Sequence, residues 1–124
     1  MLDSETIVLK IENELADNIN VEFGYIFGSY ADDTYNDRSD IDIALFLKDA
    51  SFNNQLDIHA KISRVVSKEI DLTVLNTAKN LYLLDDIFKK GKVIKDSDTR
   101  FDFEVRKEHQ ILDYKEFKKS INAA

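Results

Sequence analysis

The sequence predicts an α+β (mixed α/β) fold, a sheet of about four strands flanked by helices. Three observations predict it. Short runs rich in β-branched and aromatic residues alternate with period two, amphipathic stretches of helical spacing stand between them, and glycine or polar clusters separate the two kinds. Strand and helix patterns that take turns in this way give a sheet with helices packed on it.

Each element has its own signal. Ile7, Leu9, Ile11 and Leu15 stand among acids from about Ser4 to Asp17, a first helix with Ser4 as its N-cap. VEFGYIF, Val21 to Phe27, reads as a strand that stops at Gly28. The polar, Asp-dense stretch from Ser29 to Ser39 reads as a short helical turn and a loop. DIDIALFL, Asp40 to Leu47, alternates so that Ile41, Ile43, Leu45 and Leu47 share one face, while Asp40, Asp42, Ala44 and Phe46 share the other. The first face is apolar without exception, which leaves the aspartate face for solvent or metal. Leu56, Ile58, Ile62, Val65 and Val66 mark an amphipathic helix over about 53–67. EIDLTVL is a third strand with Glu69, Asp71 and Thr73 on one side and Ile70, Leu72 and Val74 on the other.

Residues 80–90 form a helix with Leu81, Leu84, Ile87 and Phe88 inward and Lys89, Lys90 and Gly91 at its end. KVIKD is a short fourth strand, and a long helix closes the chain at about 99–121. Its apolar residues, Phe101, Phe103, Val105, Ile111, Leu112, Tyr114 and Phe117, are too many for one stripe. The core is their default place, with part of the helix left to meet a partner.

The chain has 124 residues, the usual size of one domain, so residues 1–124 are expected to form a single unit. Hydrophobic residues at 44% and charged residues at 33% are the balance of a soluble globular protein. No segment approaches the roughly 20 apolar residues that span a bilayer. MLDSETIVLK lacks the basic-then-apolar layout of a signal peptide, so a cytoplasmic protein without a membrane partner is expected. Zero cysteines leave oxygen or imidazole as the only metal donors. A net charge of −7 argues against direct binding to a nucleic acid backbone and favours a protein or small-molecule partner.

The aspartates carry the chemistry. Asp40 and Asp42, two residues apart on a strand, have Cα atoms roughly 6.5 to 7 Å apart on the same face. Their carboxylates can reach one ion, or a pair of ions about 3.5–4 Å apart as phosphoryl-transfer sites require. Asp71 repeats the arrangement on the next strand, and if the two strands are neighbours three acids converge. Mg²⁺ is a hard cation held jointly by carboxylates and phosphate oxygens, and Asp71 is the natural base for an attacking hydroxyl. Gly28 permits close backbone approach at the strand end, where Ser29 opens a helix whose N–H groups and hydroxyl can grip phosphate oxygens.

The stretch FGSYADDTYNDRSDIDIALF, Phe27 to Phe46, fits the pattern G-S-(ten residues)-D-x-D and resembles the DNA polymerase β-like nucleotidyltransferase superfamily. Within it the chain is most similar to minimal nucleotidyltransferases (MNT) found beside HEPN toxins in toxin–antitoxin pairs. The resemblance runs over nearly the whole chain, from the initial helix through Asp71 and Gly91 to the closing helix with Phe103, Tyr114 and Phe117. It implies a minimal palm with a mixed sheet, and an antitoxin that transfers AMP from ATP to a tyrosine hydroxyl of a HEPN RNase. It further implies Gly28 and Ser29 as the phosphate-binding pair, and Asp40, Asp42 and Asp71 as ligands of two Mg²⁺ ions, or Mn²⁺. The alternatives are an antitoxin that acts by binding alone, and transfer to a small molecule or an RNA end.

One departure stands out. Many relatives read G-S-x-A-R-G, whereas Asp32 and Asp33 follow Ala31 here. A phosphate-facing cation is missing at that point, and Arg38 from the loop is its candidate substitute. Asp32, Asp33 and Asp37 read as a solvated turn, Tyr30 and Tyr35 as loop packing, and His59 and His109 as helix residues without ligand-spaced partners. RKEHQILDY near the end has an Arg106 to His109 spacing too short for a HEPN signature and reads as helix surface.

Overall fold

The computed structural model describes residues 3–123; of the expected 1–124 unit, Met1, Leu2 and Ala124 lie outside the described residues. In chain order it contains α1 (Ser4–Ala16), β1 (Val21–Phe27), α2 (Ser29–Asp32), β2 (Ile41–Leu47), α3 (Phe52–Val66), β3 (Ile70–Val74), a 3₁₀ turn (Leu75–Thr77), α4 (Leu81–Lys90), β4 (Lys92–Lys95) and α5 (Asp98–Ala123). The order is the one the sequence predicts, with the 3₁₀ turn added. That turn has a task at the sheet's end. Asn76 accepts from the Leu47 N–H (2.9 Å) and donates to the Leu47 carbonyl (2.7 Å), so a side chain satisfies both backbone groups of β2's last residue.

The strands form a mixed sheet in the order β3-β2-β1-β4. β1 is antiparallel to both β2 and β4, while β2 and β3 are parallel and α3 supplies the crossover such a pair requires. Both faces of the sheet are buried. Ile7, Ile11 and Leu15 of α1 and Ile58, Ile62 and Val66 of α3 cover Ile41, Ile43, Leu45 and Leu47. On the other face Phe23, Tyr25, Phe27, Ala44 and Leu75 meet Leu84 and Ile87 of α4 and Phe103 and Ile111 of α5. The aspartate side of β2 is therefore not free along its length, contrary to the sequence expectation. Ala44 is fully buried and Phe46 stacks on Phe23 with centroids 5.2 Å apart. Asp40 is exposed and Asp42 partly so, at the end of that face where the strand begins.

Caps and ties hold the helices in place. The N-cap of α1 is Asp3, which accepts from the Thr6 N–H at 2.8 Å; the expected cap, Ser4, is the first helical residue. Lys95 donates to the Leu15 and Asn18 carbonyls at the C-terminal end of α1 (2.8 and 2.9 Å), where a cation also complements the helix dipole. Tyr25 on β1 donates to Glu104 on α5 at 2.5 Å, and Arg100 bridges Glu104 (3.0 Å) to Asp96 (2.6 Å). Burial, followed by the hydrogen bond to Glu104, pushes the Tyr25 hydroxyl well above the usual tyrosine range.

α5 corrects a further expectation. Phe103 and Ile111 reach the core, whereas Phe101, Val105, Leu112, Phe117 and Ile121 are exposed. At 26 residues the helix is about 39 Å long, while the seven-residue strands beneath it span about 23 Å. Most of its apolar residues have no sheet to cover.

Phe103 is 2% exposed and packs against Phe23, Phe46 and Phe88 with centroids 5.5 to 6.1 Å apart. Phe103→Ala is expected to cost about 3–5 kcal/mol in urea unfolding. A loss below about 1 kcal/mol would mean that this cluster does not hold α5 to the sheet.

Candidate active site

Three strands end together on one edge of the molecule. β1 finishes at Phe27, and Gly28 then turns the chain with φ +69° and ψ −148°. Its carbonyl accepts from the Ala31 and Asp32 N–H groups (3.0 and 3.2 Å), folding α2 back over the strand end. Glycine is required there twice over. The positive φ disfavours any side chain, and a Cβ would collide with Asp42 Oδ2 and lie 3.2 Å from its Cγ. Ser29 opens α2, and among the described residues no backbone acceptor takes the Ser29 or Tyr30 N–H.

Register brings the acids to the same place. Asp42 is paired with Phe27 of β1 on one side and with Asp71 of β3 on the other. Residues opposite each other in a ladder share a face, so both carboxylates stand on the side that α4 and α5 cover further along. Asp40 lies one residue before β2, and its charge acts on Asp42. Asp42 is partly buried, and its carboxyl is raised above the ordinary aspartate value by that burial first, then by the Asp71 and Asp40 charges. Among the described residues none of the three carboxylates accepts a side-chain hydrogen bond or joins an ion pair.

Among the described residues no group of three or more His, Asp or Glu side chains could hold a metal ion in the arrangement seen. The trio nevertheless fits a hard cation in donor chemistry. Oxygen donors on adjacent strands about 4.8 Å apart, each with two side-chain torsions, can reach a shared ion. Their unpaired crowding is what such an ion relieves.

The other candidates fall as follows. Asp32 accepts from the Thr34 N–H and hydroxyl (3.1 and 2.5 Å), and Asp33 caps α2 in the left-handed region, so both belong to the turn. Tyr30 is buried and stacked on Tyr35 with centroids 4.5 Å apart. Arg38 is exposed in the loop, and its guanidinium makes no ion pair among the described residues, so it is not drawn into the cluster. His59 lies within 3.3 Å of the Ile70 carbonyl, while His109 is exposed. Lys68 was not foreseen. Its ammonium donates to the Asp37 carbonyl (3.1 Å) and lies 5.8 Å from the Tyr30 ring centroid, pinning the loop that leads to Asp40. A lysine just before a strand carries no sequence signal for that role.

Because ionised Asp42 opposes folding, replacing Asp40 and Asp42 together by Asn should leave stability at neutral pH equal or a few tenths to about 1 kcal/mol higher. The sign follows from a raised carboxyl. The penalty is full above its folded value and fades as pH falls towards the ordinary 3.8, so the variant's gain should shrink on acidification. Urea titrations across pH would check this, and a gain that grows towards acid would contradict it.

The chain matches the family model described as "Polymerase beta, Nucleotidyltransferase" over residues 9–100. No curated protein matches it. A chain in the crystal structure of a toxin–antitoxin pair with AMP-PNP is 25% identical, with a TM-score of 0.76, covering 94% of this chain and 95% of that one. A chain in the structure of a tri-AMPylated Shewanella oneidensis HEPN toxin in complex with MNT antitoxin is 23% identical, TM-score 0.71, covering 97% and 96%. One in the toxin–antitoxin MntA-HepT is 22% identical, TM-score 0.70, covering 96% of each. The last two likenesses show the fold alone. With the family model spanning most of the chain, and its G-S turn and paired aspartates on one edge of the sheet, the protein belongs to the polymerase β nucleotidyltransferase family.

Proposed function

We propose that this nucleotidyltransferase is a cytoplasmic antitoxin that uses ATP and two Mg²⁺ ions to transfer AMP to a tyrosine hydroxyl of a cognate HEPN RNase toxin, neutralising it. The observation that carries the reading is the pairing of Asp42 with Asp71 beside the Gly28 turn, with Asp40 at the mouth of the strand. Support for the nucleotide comes from the similar chain crystallised in a toxin–antitoxin pair with AMP-PNP. Support for the acceptor comes from the similar chain in complex with a tri-AMPylated HEPN toxin.

In this reading Asp40, Asp42 and Asp71 hold the cations. Bound there, Mg²⁺ or Mn²⁺ would supply charge neutralisation for the triphosphate and for the departing pyrophosphate. Gly28 leaves room for a phosphate to approach the backbone, and the Ser29 hydroxyl and the N–H groups that open α2 hold its oxygens. Arg38, exposed in the loop and without an ion pair among the described residues, would swing onto the bound phosphates to supply the positive charge that Asp32 and Asp33 do not. Asp71 accepts the proton as the tyrosine oxygen forms its bond to the α-phosphorus. The bond from that phosphorus to the β-phosphate bridging oxygen breaks, releasing pyrophosphate.

Asp32 and Asp33 have structural duties in the turn, an observation that favours one rival, neutralisation by binding alone. Mass spectrometry of the HEPN partner after incubation with this chain, ATP and Mg²⁺ separates the two. The transfer reading expects a mass increase in whole AMP units, confined to tyrosine. An unchanged partner mass with the RNase still inhibited would support binding alone, and label on an RNA end or small molecule would redirect the substrate class.

Gly28→Ala is expected to lower transfer by about 100-fold or more, because the new Cβ displaces the Asp42 carboxylate while the buried core is untouched. Asp71→Asn should lower kcat by about 10²–10⁴-fold. Retention of full activity in either variant, measured by pyrophosphate release, would remove that residue from the mechanism.

A further inference from the structure

Strand order decides from which side an acceptor can come. Gly28 and Ser29 close β1, Asp42 lies on β2, and Asp71 lies on β3, the outermost strand of the sheet. In phosphoryl and nucleotidyl transfer the attacking and leaving oxygens lie roughly in line through phosphorus. With the triphosphate against the β1 corner, the leaving pyrophosphate is on the β1 side and the attacking hydroxyl must arrive from the β3 side.

That side is built to receive a chain. A groove of about 300 Å³ runs between α3 and β3, lined by Phe52, Leu56, His59, Asp71 and Leu72 among others. Phe52 is 72% exposed and Leu56 52%, although the helical spacing of Leu56 predicts a core residue. The edge of β3 itself is open. The Ile41 N–H donates to the Glu69 carbonyl (3.2 Å), so Glu69 faces β2, and the next carbonyl, that of Ile70, turns outward to His59. By the alternation of a parallel ladder, Leu72 also presents its N–H and C=O outward, and neither has a partner in a turn, loop or side chain among the described residues.

We propose that the free edge of β3 and the Phe52–Leu56 groove dock the acceptor, an extended segment of the partner protein that adds to β3 as a fifth strand and presents its hydroxyl beside Asp71. The proposal rests on the reading of the chain as a protein AMP-transferase. Side chains of an added strand alternate between faces. Those on the α3 side fill the groove against Phe52, Leu56 and Leu72, and the residue between them stands on the carboxylate face, about 4.8 Å across from Asp71. The groove's lining contains no lysine or arginine, which suits an apolar, aromatic protein segment and not the phosphates of an RNA end.

The test uses the full chain, Mg-ATP and the cognate HEPN toxin. Phe52→Asp and Leu56→Asp alter exposed side chains, so both variants should fold with the wild-type melting temperature. Each is expected to raise KM for the toxin ten-fold or more, while kcat at saturating toxin and the affinity for Mg-ATP stay unchanged. In the wild-type chain, exchange of the Leu72 amide proton should slow on toxin addition. Transfer by both variants with an unchanged toxin KM, and Leu72 exchange indifferent to toxin, would overturn the docking proposal while leaving the transfer reading intact. Absence of AMP transfer by the wild-type chain would instead overturn the transfer reading, and docking with it.

Discussion

The register of β2 between β1 and β3 is the constraint on which the site depends. A slip by one residue against either neighbour would exchange the faces of the strand, turning Asp42 into the layer occupied by Ile41, Ile43, Leu45 and Leu47 beneath α1 and α3. A carboxylate there would be buried without a partner, at a cost of several kcal/mol. The apolar face of β2 thus selects the register, and that register alone sets Asp42 beside both Asp71 and the Gly28 turn. Core packing and site geometry are one decision made by one strand.

The same strand joins two environments on its other face. Ala44 and Phe46 sit under the aromatic layer that Phe23, Tyr25 and Phe103 build with α4 and α5, whereas Asp42 stands where that cover ends. Tyr25, Glu104, Arg100 and Asp96 tie α5 down near the layer, so the cover is held and does not slide over the acids. Like charges gathered at the uncovered end are unfavourable alone and become useful in the presence of divalent cations and a triphosphate. Gly28 permits the approach that a larger residue would block.

Much of this was legible in the sequence, for identifiable reasons. Period-two alternation in DIDIALFL and EIDLTVL marks strands without reference to the rest of the chain, and Gly28 and Ser29 at the end of VEFGYIF mark the turn. The adjacency of β2 and β3 was a condition of the sequence reading, and the ladder satisfies it. What escaped depended on distant partners. Alternation says which residues share a face but not what covers that face, so the burial of Ala44 and the packing of partly buried Phe46 against Phe23 and Phe103 were missed. The outward residues of α5 and the exposed Leu56 follow a helical pattern whose inner and outer sides only the packed sheet distinguishes. The Asn76 clasp on Leu47 and the Lys68 tie to Asp37 join residues 29 and 31 positions apart, beyond any local signal. Arg38, expected from the missing cation after Ala31, is exposed and makes no ion pair among the described residues.

The central claim is that Asp40, Asp42 and Asp71 form one cation-binding unit with the nucleotide. Counting Mn²⁺ bound per chain by electron paramagnetic resonance, with a non-hydrolysable ATP analogue present, tests it most directly. The account predicts two ions per chain in the wild type, with weakened binding when any one of the three aspartates is replaced by Asn. Unchanged stoichiometry and affinity in Asp42→Asn, the member both strand neighbours hold in place, would contradict it.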